Sequence, residues 1–283
     1  MVDVNGRIRS ASAGRRAGTD SRYPRLVVVD TDCGLDDALA LLYLAAHPAE
    51  AELAAVTTVH GNAPVGSVVA NVGHVLAAAG IPEVPVGVGA AGPLGGPPLL
   101  LAPGTHGADG LGDLVVRTPP SVVARPAAER LVELARARPG HYDLLALGPL
   151  TNVALALRLE PELLTLFRSV VVMGGPGPDE TNVRRDPSAA ARVLGAPANR
   201  LVTVGVDVTA TVLVDPADLR DGFAAALAAR YASLRGRRLT PVHDAVAAAL
   251  LVHPDWFTVS DAGAVTDVDR AAFLTDLAAM DFG

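Results

Sequence analysis

Four aspartates lie within eight residues near the start of the chain, in the segment Asp30-Thr31-Asp32-Cys33-Gly34-Leu35-Asp36-Asp37. Carboxylates packed this closely repel one another and raise one another's pKa unless a cation neutralises them. All 23 basic residues are arginine, and the nearest, Arg25, lies at the other end of the preceding strand. Ligation by oxygen alone suits a hard divalent cation such as Ca²⁺ or Mg²⁺. The segment therefore predicts a metal site; in the alternative, the last two aspartates only cap a helix, which leaves the first two unexplained.

Composition narrows the chemistry that the cluster can serve. The absence of lysine excludes Schiff-base catalysis, PLP attachment and P-loop phosphate binding. A formal net charge of −7 argues against nucleic acid or an anionic membrane as a partner. Cys33 is the single cysteine, so no internal disulfide is possible, and a cytoplasmic location is expected.

Strand and helix patterns alternate along the chain and would position the cluster. The run Leu26-Val27-Val28-Val29 reads as a buried strand that ends at the aspartates, and a helix is predicted from about Asp36 to Ala46. Further predicted strands cover residues 53–58, 84–88, 143–147, 170–173 and 201–206, and further helices cover 65–79, 124–137, 150 onward, 187–194, 216–235, 243–251 and 269–280. This order predicts an α/β fold with a single open, mostly parallel sheet flanked by helices and a Rossmann-like core. We expect residues 1–24 to be a disordered tail and residues 25–283 to form one domain.

An Asp-x-Asp pair after a first strand occurs in two enzyme families. Phosphatases of the haloacid dehalogenase type resemble this start, but they hold the phosphate with a downstream lysine, which this chain lacks. The continuation Gly-Leu-Asp-Asp is also not that family's pattern. The phosphatase interpretation is therefore set aside.

The chain resembles the nucleoside hydrolase family of the inosine-uridine preferring type. Residues 30–37 match its N-terminal signature Asp-x-Asp-x-Gly-x-Asp-Asp at every fixed position, with Cys33 where the family usually has proline. Later segments are similar to later motifs of that family, in the same order: Val59-His60-Gly61-Asn62, His106-Gly107-Ala108-Asp109-Gly110-Leu111, Leu147-Gly148-Pro149-Leu150-Thr151-Asn152, Val172-Met173-Gly174-Gly175, Glu180-Thr181-Asn182 with Asp186-Pro187, and Pro241-Val242-His243-Asp244-Ala245.

The resemblance implies a Ca²⁺ ion on the floor of a pocket. Its ligands would be Asp32, Asp37, the backbone carbonyl of Leu147 and Asp244. The implied reaction is hydrolysis of the N-glycosidic bond of a ribonucleoside to ribose and free base. Asp32 would deprotonate a water that attacks C1′, and His243 would protonate or hydrogen-bond the leaving base.

The same resemblance implies a set of residues that hold the substrate. They are Asp36, Asn62, His106, Met173, Glu180 and Asn182. Several have a plainer interpretation: His243 would only cap its helix, Asn62 would be a turn residue, Met173 a core residue and His106 a surface residue. Purine or pyrimidine salvage and a homodimer or homotetramer are also implied.

Two segments depart from the family's pattern. Only four residues separate Gly175 from Glu180, where the family usually has a longer loop that reaches the ribose 5′-hydroxyl. After Phe257 the chain is short, and residues 259–268 are expected to lead almost directly into the last helix. These losses suggest an altered substrate range. The alternative is a catalytically weak, metal-dependent sugar-binding or regulatory protein of the same fold.

Overall fold

The computed structural model describes residues 23–95, 100–114, 120–177 and 180–281. The predicted tail therefore lies outside the described residues, apart from its last two. The strands are β1 (Arg25–Thr31), β2 (Ala51–Thr58), β3 (Val86–Val88), β4 (Val122–Val123), β5 (Tyr142–Ala146), β6 (Ser169–Met173), β7 (Leu201–Val204), β8 (Leu213–Val214), β9 (Thr240–Pro241), β10 (Phe257–Val259) and β11 (Val265–Val268). The helices are α1 (Leu35–Ala46), α2 (Val65–Ala78), α3 (Pro103–His106), α4 (Ala127–Ala137), α5 (Thr151–Leu159), α6 (Leu163–Leu166), α7 (Thr181–Arg185), α8 (Pro187–Leu194), α9 (Val206–Thr209), α10 (Gly222–Leu234), α11 (His243–Val252) and α12 (Arg270–Ala279).

Seven strands form one sheet in the order β4-β3-β2-β1-β5-β6-β7, and each pair of neighbours is parallel. This confirms the predicted fold class. The chain builds outward from β1 through β2, β3 and β4, then returns to the other side of β1 as β5. In open α/β sheets, ligands bind at the carboxyl ends of the strands beside such a reversal. The fold therefore predicts a ligand-binding site formed by the residues after β1 and β5.

The apolar run in β1 explains why helices cover both faces of the sheet. Val27 and Val29 pack in the same core as α1, α2 and α11, whereas Val28 packs in the core formed with α4, α5 and α8. Successive side chains of a strand point to opposite faces, so this division follows from the pleat. Helix α11 is buried from Asp244 to Val252 and packs against α1. That packing fixes where the first turn of α11 lies.

The observed elements differ from the predicted ones mainly in the C-terminal third. The stretch predicted as one helix from 216 to 235 is a short 3₁₀ turn followed by α10, because the Asp221 side chain caps α10 by accepting the Ala224 N–H at 2.7 Å. Residues 257–268 form an antiparallel hairpin of β10 and β11, so the expectation of an almost direct passage into the last helix was wrong. None of the described helices is long and apolar enough to cross a membrane.

Asp30, on β1, connects the strand to its neighbours. Its Oδ1 accepts hydrogen bonds from the Thr57 hydroxyl at 2.6 Å and from Asn152 Nδ2 at 2.7 Å, which joins β1 to β2 and α5. Its Oδ2 is buried and has no hydrogen-bond partner among the described residues. Burial raises the pKa of Asp30 to about 7, although both hydrogen bonds lower it. Folding therefore favours the protonated form of this carboxyl group.

Replacing Asp30 with asparagine should make stability less sensitive to rising pH. The folded pKa of about 7 exceeds the ordinary value of 3.8, so the native state keeps a proton that the unfolded chain has released. Wild-type stability should therefore fall as the pH rises between these two values. Asparagine keeps the Oδ1 acceptor and cannot ionise. The free energy of unfolding of Asp30→Asn should therefore fall by about 2 kcal/mol less than that of wild type between about pH 5 and pH 8. Urea unfolding across this range measures the difference, and equal pH slopes for the two proteins would contradict it.

Candidate active site

One cavity of about 180 Å³ opens at the carboxyl ends of the strands around the β1/β5 reversal. It brings together every site residue that the sequence predicted, from segments spread over most of the chain. The predicted residues that line it are Asp32, Asp36, Asp37, Asn62, His106, Leu147, Met173, Glu180, Asn182, His243 and Asp244. Seven further lining residues were not predicted, and Arg185, Tyr231 and Arg235 are the largest side chains among them.

The loop between β1 and α1 is shaped by close backbone contacts. Cys33 adopts a left-handed conformation with φ of 30°, and Asp37 closes the turn behind it. Asp37 accepts the Thr31 hydroxyl at 2.5 Å on one oxygen and the Gly34 N–H at 2.9 Å on the other. A Cβ on Gly61, after β2, would lie 2.0 Å from Asp32 Oδ2, so glycine is needed there for Asp32 to keep its place.

Four buried aspartates face this cavity, and three of them converge. Asp36, Asp37 and Asp244 each place an oxygen within 4.8 Å of the others. Burial raises the pKa of Asp36 to about 7, and repulsion from Asp37 adds to the shift. Burial raises the pKa of Asp244 well above its ordinary value, and repulsion from Asp37, Asp36 and Asp32 adds to the shift. Charged carboxylates are costly here without a counter-charge, so an oxygen-rich site of this kind fits Ca²⁺ or another hard cation.

The fourth carboxylate, Asp32, is paired with Arg185. Arg185 NH1 donates to Asp32 Oδ2 at 2.7 Å, and NH2 donates to Asn62 Oδ1 at 2.8 Å. The Asn62 backbone N–H also donates to Asp32 Oδ2 at 2.7 Å. Burial raises the pKa of Asp32 well above its ordinary value, Asp37 raises it further, and Arg185 lowers it. One carboxylate oxygen of Asp32 is thus held by two donors, and the contact with Arg185 is a buried ion pair.

The side of the cavity formed by α7 carries Glu180 and Asn182. Glu180 accepts the Val206 N–H at 2.8 Å, so its carboxylate is anchored at the start of α9. Asn182 Nδ2 donates to the Leu147 carbonyl at 2.6 Å and lies 3.2 Å from the Met173 carbonyl. A carbonyl oxygen has two lone pairs, so the Leu147 carbonyl keeps one acceptor position. Asn182 therefore orients a predicted metal ligand.

Aromatic and cationic side chains from α3, from α10 and the residue after it, and from α11 also line the cavity. The His106 ring lies 5.2 Å from the Tyr231 ring and stacks on it, and its Nδ1 accepts the Leu35 N–H at 3.1 Å. The Arg235 guanidinium lies 5.2 Å from the Tyr231 ring and donates to its hydroxyl at 3.1 Å. His243 Nδ1 lies 2.8 Å from the Thr209 hydroxyl.

Both histidines of the cavity are neutral at pH 7. Burial lowers the pKa of His106 to about 3, with further lowering by Arg185 and Arg235. Burial lowers the pKa of His243 to about 4, and Arg235 contributes. His106 is buried and accepts a backbone hydrogen bond at the start of α1, so the surface interpretation of this residue was wrong.

Arg185, Tyr231 and Arg235 were missed because they lie outside any segment that indicated a site. Arg185 ends α7, Tyr231 lies on α10, and Arg235 follows α10 directly. Arg184 and Arg185 are adjacent at the end of α7, yet Arg184 is exposed and Arg185 is buried. The one available signal was the position of Arg185 directly before Asp186-Pro187, within a matched motif.

Comparison with known proteins agrees with this architecture. The family model for inosine-uridine preferring nucleoside hydrolases matches residues 27–276. A probable uridine nucleosidase from Oryza sativa subsp. japonica is 33% identical over 279 residues, which covers 91% of this chain and 85% of that protein. The inosine-uridine preferring nucleoside hydrolase of Leishmania major is 37% identical over 206 residues, covering 69% of this chain and 64% of that protein.

Solved structures give the same result. A plant nucleoside hydrolase superposes with a TM-score of 0.82 at 26% identity, covering 90% of this chain and 98% of that chain. An inosine-guanosine nucleoside hydrolase superposes with a TM-score of 0.77 at 28% identity, covering 90% and 97%. The chain belongs to the inosine-uridine preferring nucleoside hydrolase family. It is accordingly an enzyme, a hydrolase that acts on N-glycosyl compounds.

Replacing Arg185 with methionine should lower the free energy of unfolding. Methionine fills similar space without a charge, so Asp32 loses its buried counter-ion, and removing one partner of a buried pair costs about 3 kcal/mol or more. We expect this loss in urea unfolding with a chelator, and added Ca²⁺ should stabilise the variant more than wild type. Arg184→Met is the matched control, because the Arg184 side chain is exposed and donates to the Thr181 hydroxyl, not to a carboxylate of the cavity. Equal stability of the two variants would show that the ion pair contributes nothing.

Proposed function

We propose that this enzyme hydrolyses the N-glycosidic bond of ribonucleosides, or of a related N-ribosyl compound, in a Ca²⁺-dependent reaction. The observation that carries the proposal is that four buried aspartates and the other predicted substrate-binding residues line one cavity. The ribosyl group develops positive charge as its bond to the base breaks. A pocket dominated by carboxylates stabilises that charge.

We propose that the ion is held by carboxylates of Asp32, Asp37 and Asp244 and by the Leu147 carbonyl. Asp36 lies close enough to join them, since it shares the 4.8 Å cluster with Asp37 and Asp244. All these donors are oxygens, which is the ligand type that Ca²⁺ prefers. When bound, Ca²⁺ would supply positive charge that holds hydroxyl groups and makes a bound water more acidic.

We assign proton removal to Asp32. Its Oδ2 already accepts from Asn62 and Arg185, so its Oδ1 is the oxygen left to receive a proton from the attacking water. The new bond joins the water oxygen to C1′, and the electron pair of the broken C1′–N bond stays with the base. The base takes up one proton from solvent, which balances the proton that the water gives to Asp32 and that Asp32 then releases. Burial raises the pKa of Asp32, and a raised pKa makes a carboxylate a stronger base.

The remaining lining residues are assigned to the two ends of the substrate. Asp36, Asn62, Glu180 and Asn182 would hold ribose hydroxyls, with Met173 against the sugar. His243 would contact the leaving base, and His106 would support that end through its stack on Tyr231. Because His243 is neutral at pH 7, we propose that it engages the base through a hydrogen bond.

The name of each relative suggests a substrate but does not decide this enzyme's preference. Uridine is named for the rice relative, and inosine and uridine for the Leishmania major relative. We propose a ribonucleoside of this group as substrate, in purine or pyrimidine salvage in the cytoplasm, with a homodimer or homotetramer as the working form.

The proposal is tested by incubating the protein with inosine, uridine, cytidine and adenosine, with Ca²⁺ or with chelator, and measuring reducing sugar. We expect release from at least one nucleoside, and loss of that release with chelator. Ribose binding without release from any of them would contradict hydrolysis and favour the catalytically weak sugar-binding alternative. Full release in chelator would contradict the metal requirement.

Asp32→Asn should lower kcat by about 10²- to 10⁴-fold, the range expected when a general base is lost. Asparagine still accepts from Arg185 and Asn62, so the fold and the substrate KM should change far less. Initial rates across substrate concentration separate the two constants. Asp218→Asn, on an exposed residue outside the cavity, is the matched control. An Asp32→Asn enzyme with wild-type kcat would show that the base is another residue.

A further inference from the structure

A second group of potential metal ligands lies at the far ends of the two helices that carry the active-site carboxylates. Helix α1 begins beside Asp36 and Asp37 and ends at His47, and α11 begins beside Asp244 and ends at His253. A 12-residue helix is about 18 Å long, which separates this group from the cavity. Asp276 of α12 lies between the two histidines.

The three side chains converge on one point. His47 Nε2 lies 3.0 Å from Asp276 Oδ2, and His253 Nε2 lies 3.5 Å from the same oxygen. One ligand atom from each residue falls within 4.8 Å of the other two. In a tetrahedral zinc site with bonds near 2.0 Å, neighbouring ligand atoms are separated by about 3.3 Å. The observed spacings lie close to that value.

The hydrogen bonds around the group leave its nitrogen atoms available. His47 Nδ1 lies 2.7 Å from the Tyr43 carbonyl, which can only accept, so Nδ1 carries the proton. In the neutral ring Nε2 then holds a lone pair directed at the group. His253 Nε2 is buried and makes no hydrogen bond to any described residue. A buried nitrogen without a hydrogen bond is costly unless something else binds it.

Two further features favour a cation at this point. The Tyr43 hydroxyl donates to Asp276 Oδ2 at 2.5 Å, an outer contact of the kind that orients a metal-binding carboxylate. His47 and His253 are the C-terminal caps of their helices, and the carbonyl ends of helices carry partial negative charge. The side chains of the three ligands are 14–27% exposed, so an ion can enter from solvent.

We propose that His47, His253 and Asp276 form a second metal site, for Zn²⁺ or a similar transition-metal dication. Two imidazoles and one carboxylate are ligands that Zn²⁺ prefers, whereas Ca²⁺ prefers oxygen alone. The site joins three helices, so the ion acts as a structural clamp between α12 and the pair α1 and α11. Its fourth position faces solvent and takes water. The site is independent of the proposed reaction.

Zinc binding is measured by isothermal titration of the full chain, stripped with chelator and then saturated with Ca²⁺ to occupy the carboxylate cluster. We expect one Zn²⁺ per chain and a rise in the unfolding temperature. His47→Gln and His253→Gln should each remove this binding, and Tyr43→Phe should weaken it by about tenfold or more. His141→Gln, on an exposed histidine outside the group, should bind as wild type does.

Two results would overturn the proposal. One is wild-type chain that takes up no Zn²⁺, and the other is unchanged binding in both histidine variants. Should a glutamine variant fail to fold, Co²⁺ substituted into wild type gives a second measurement, because four-coordinate Co²⁺ has strong visible absorption. Intense bands that disappear when Zn²⁺ is added support the site, and their absence contradicts it. Asp244→Asn should leave these bands unchanged, which separates them from the active-site cluster.

Discussion

Burying four aspartates in one cavity is the physical constraint on which the rest of this structure depends. Asp32, Asp36, Asp37 and Asp244 come from two helix starts and the loop after β1, and each is almost wholly buried. Burial favours the neutral forms of Asp32, Asp36 and Asp244, and repulsion from neighbouring aspartates adds to that effect. Catalysis by a carboxylate base and binding of a hard cation both need the charged forms. The structure therefore has to supply positive charge: Arg185 forms a buried ion pair with Asp32, and Arg235 acts on Asp36 from a greater distance and lowers its pKa.

The parallel sheet provides the position for this cluster, and the apolar helices α1 and α11 provide its rigidity. Both helices are packed against each other and begin in the cavity, so their first turns place three carboxylates together. Close backbone contacts at Gly61 hold the fourth. Hydrogen-bond donors then fix individual oxygens: Thr31 and Gly34 on Asp37, and Asn62 and Arg185 on Asp32. The Leu147 carbonyl is held by Asn182.

Most of the fold and of the candidate site could be predicted from the sequence, because the patterns that indicate them lie within short segments of the chain. The strand Val27–Val29 and the aspartates that follow it are neighbours in the chain, and the alternation of strands and helices sets the sheet. The eleven predicted site residues line one cavity because their motifs follow strand ends or open helices. Arg185, Tyr231 and Arg235 were not predicted, since their positions at the cavity depend on how α7 and α10 pack, which no local pattern encodes. The hairpin of β10 and β11 was missed for a similar reason: its strands have three and four residues, too few to show a period.

The central claim is that hydrolysis depends on a cation held by this carboxylate cluster. The most direct test measures Ca²⁺ affinity by equilibrium titration and turnover against Ca²⁺ concentration, in wild type and in Asp37→Asn and Asp244→Asn. We expect one ion per chain in the cavity, half-maximal turnover at the concentration that half-saturates binding, and a parallel weakening of both in each variant. Turnover that persists at wild-type level in either variant while Ca²⁺ binding is lost would contradict it.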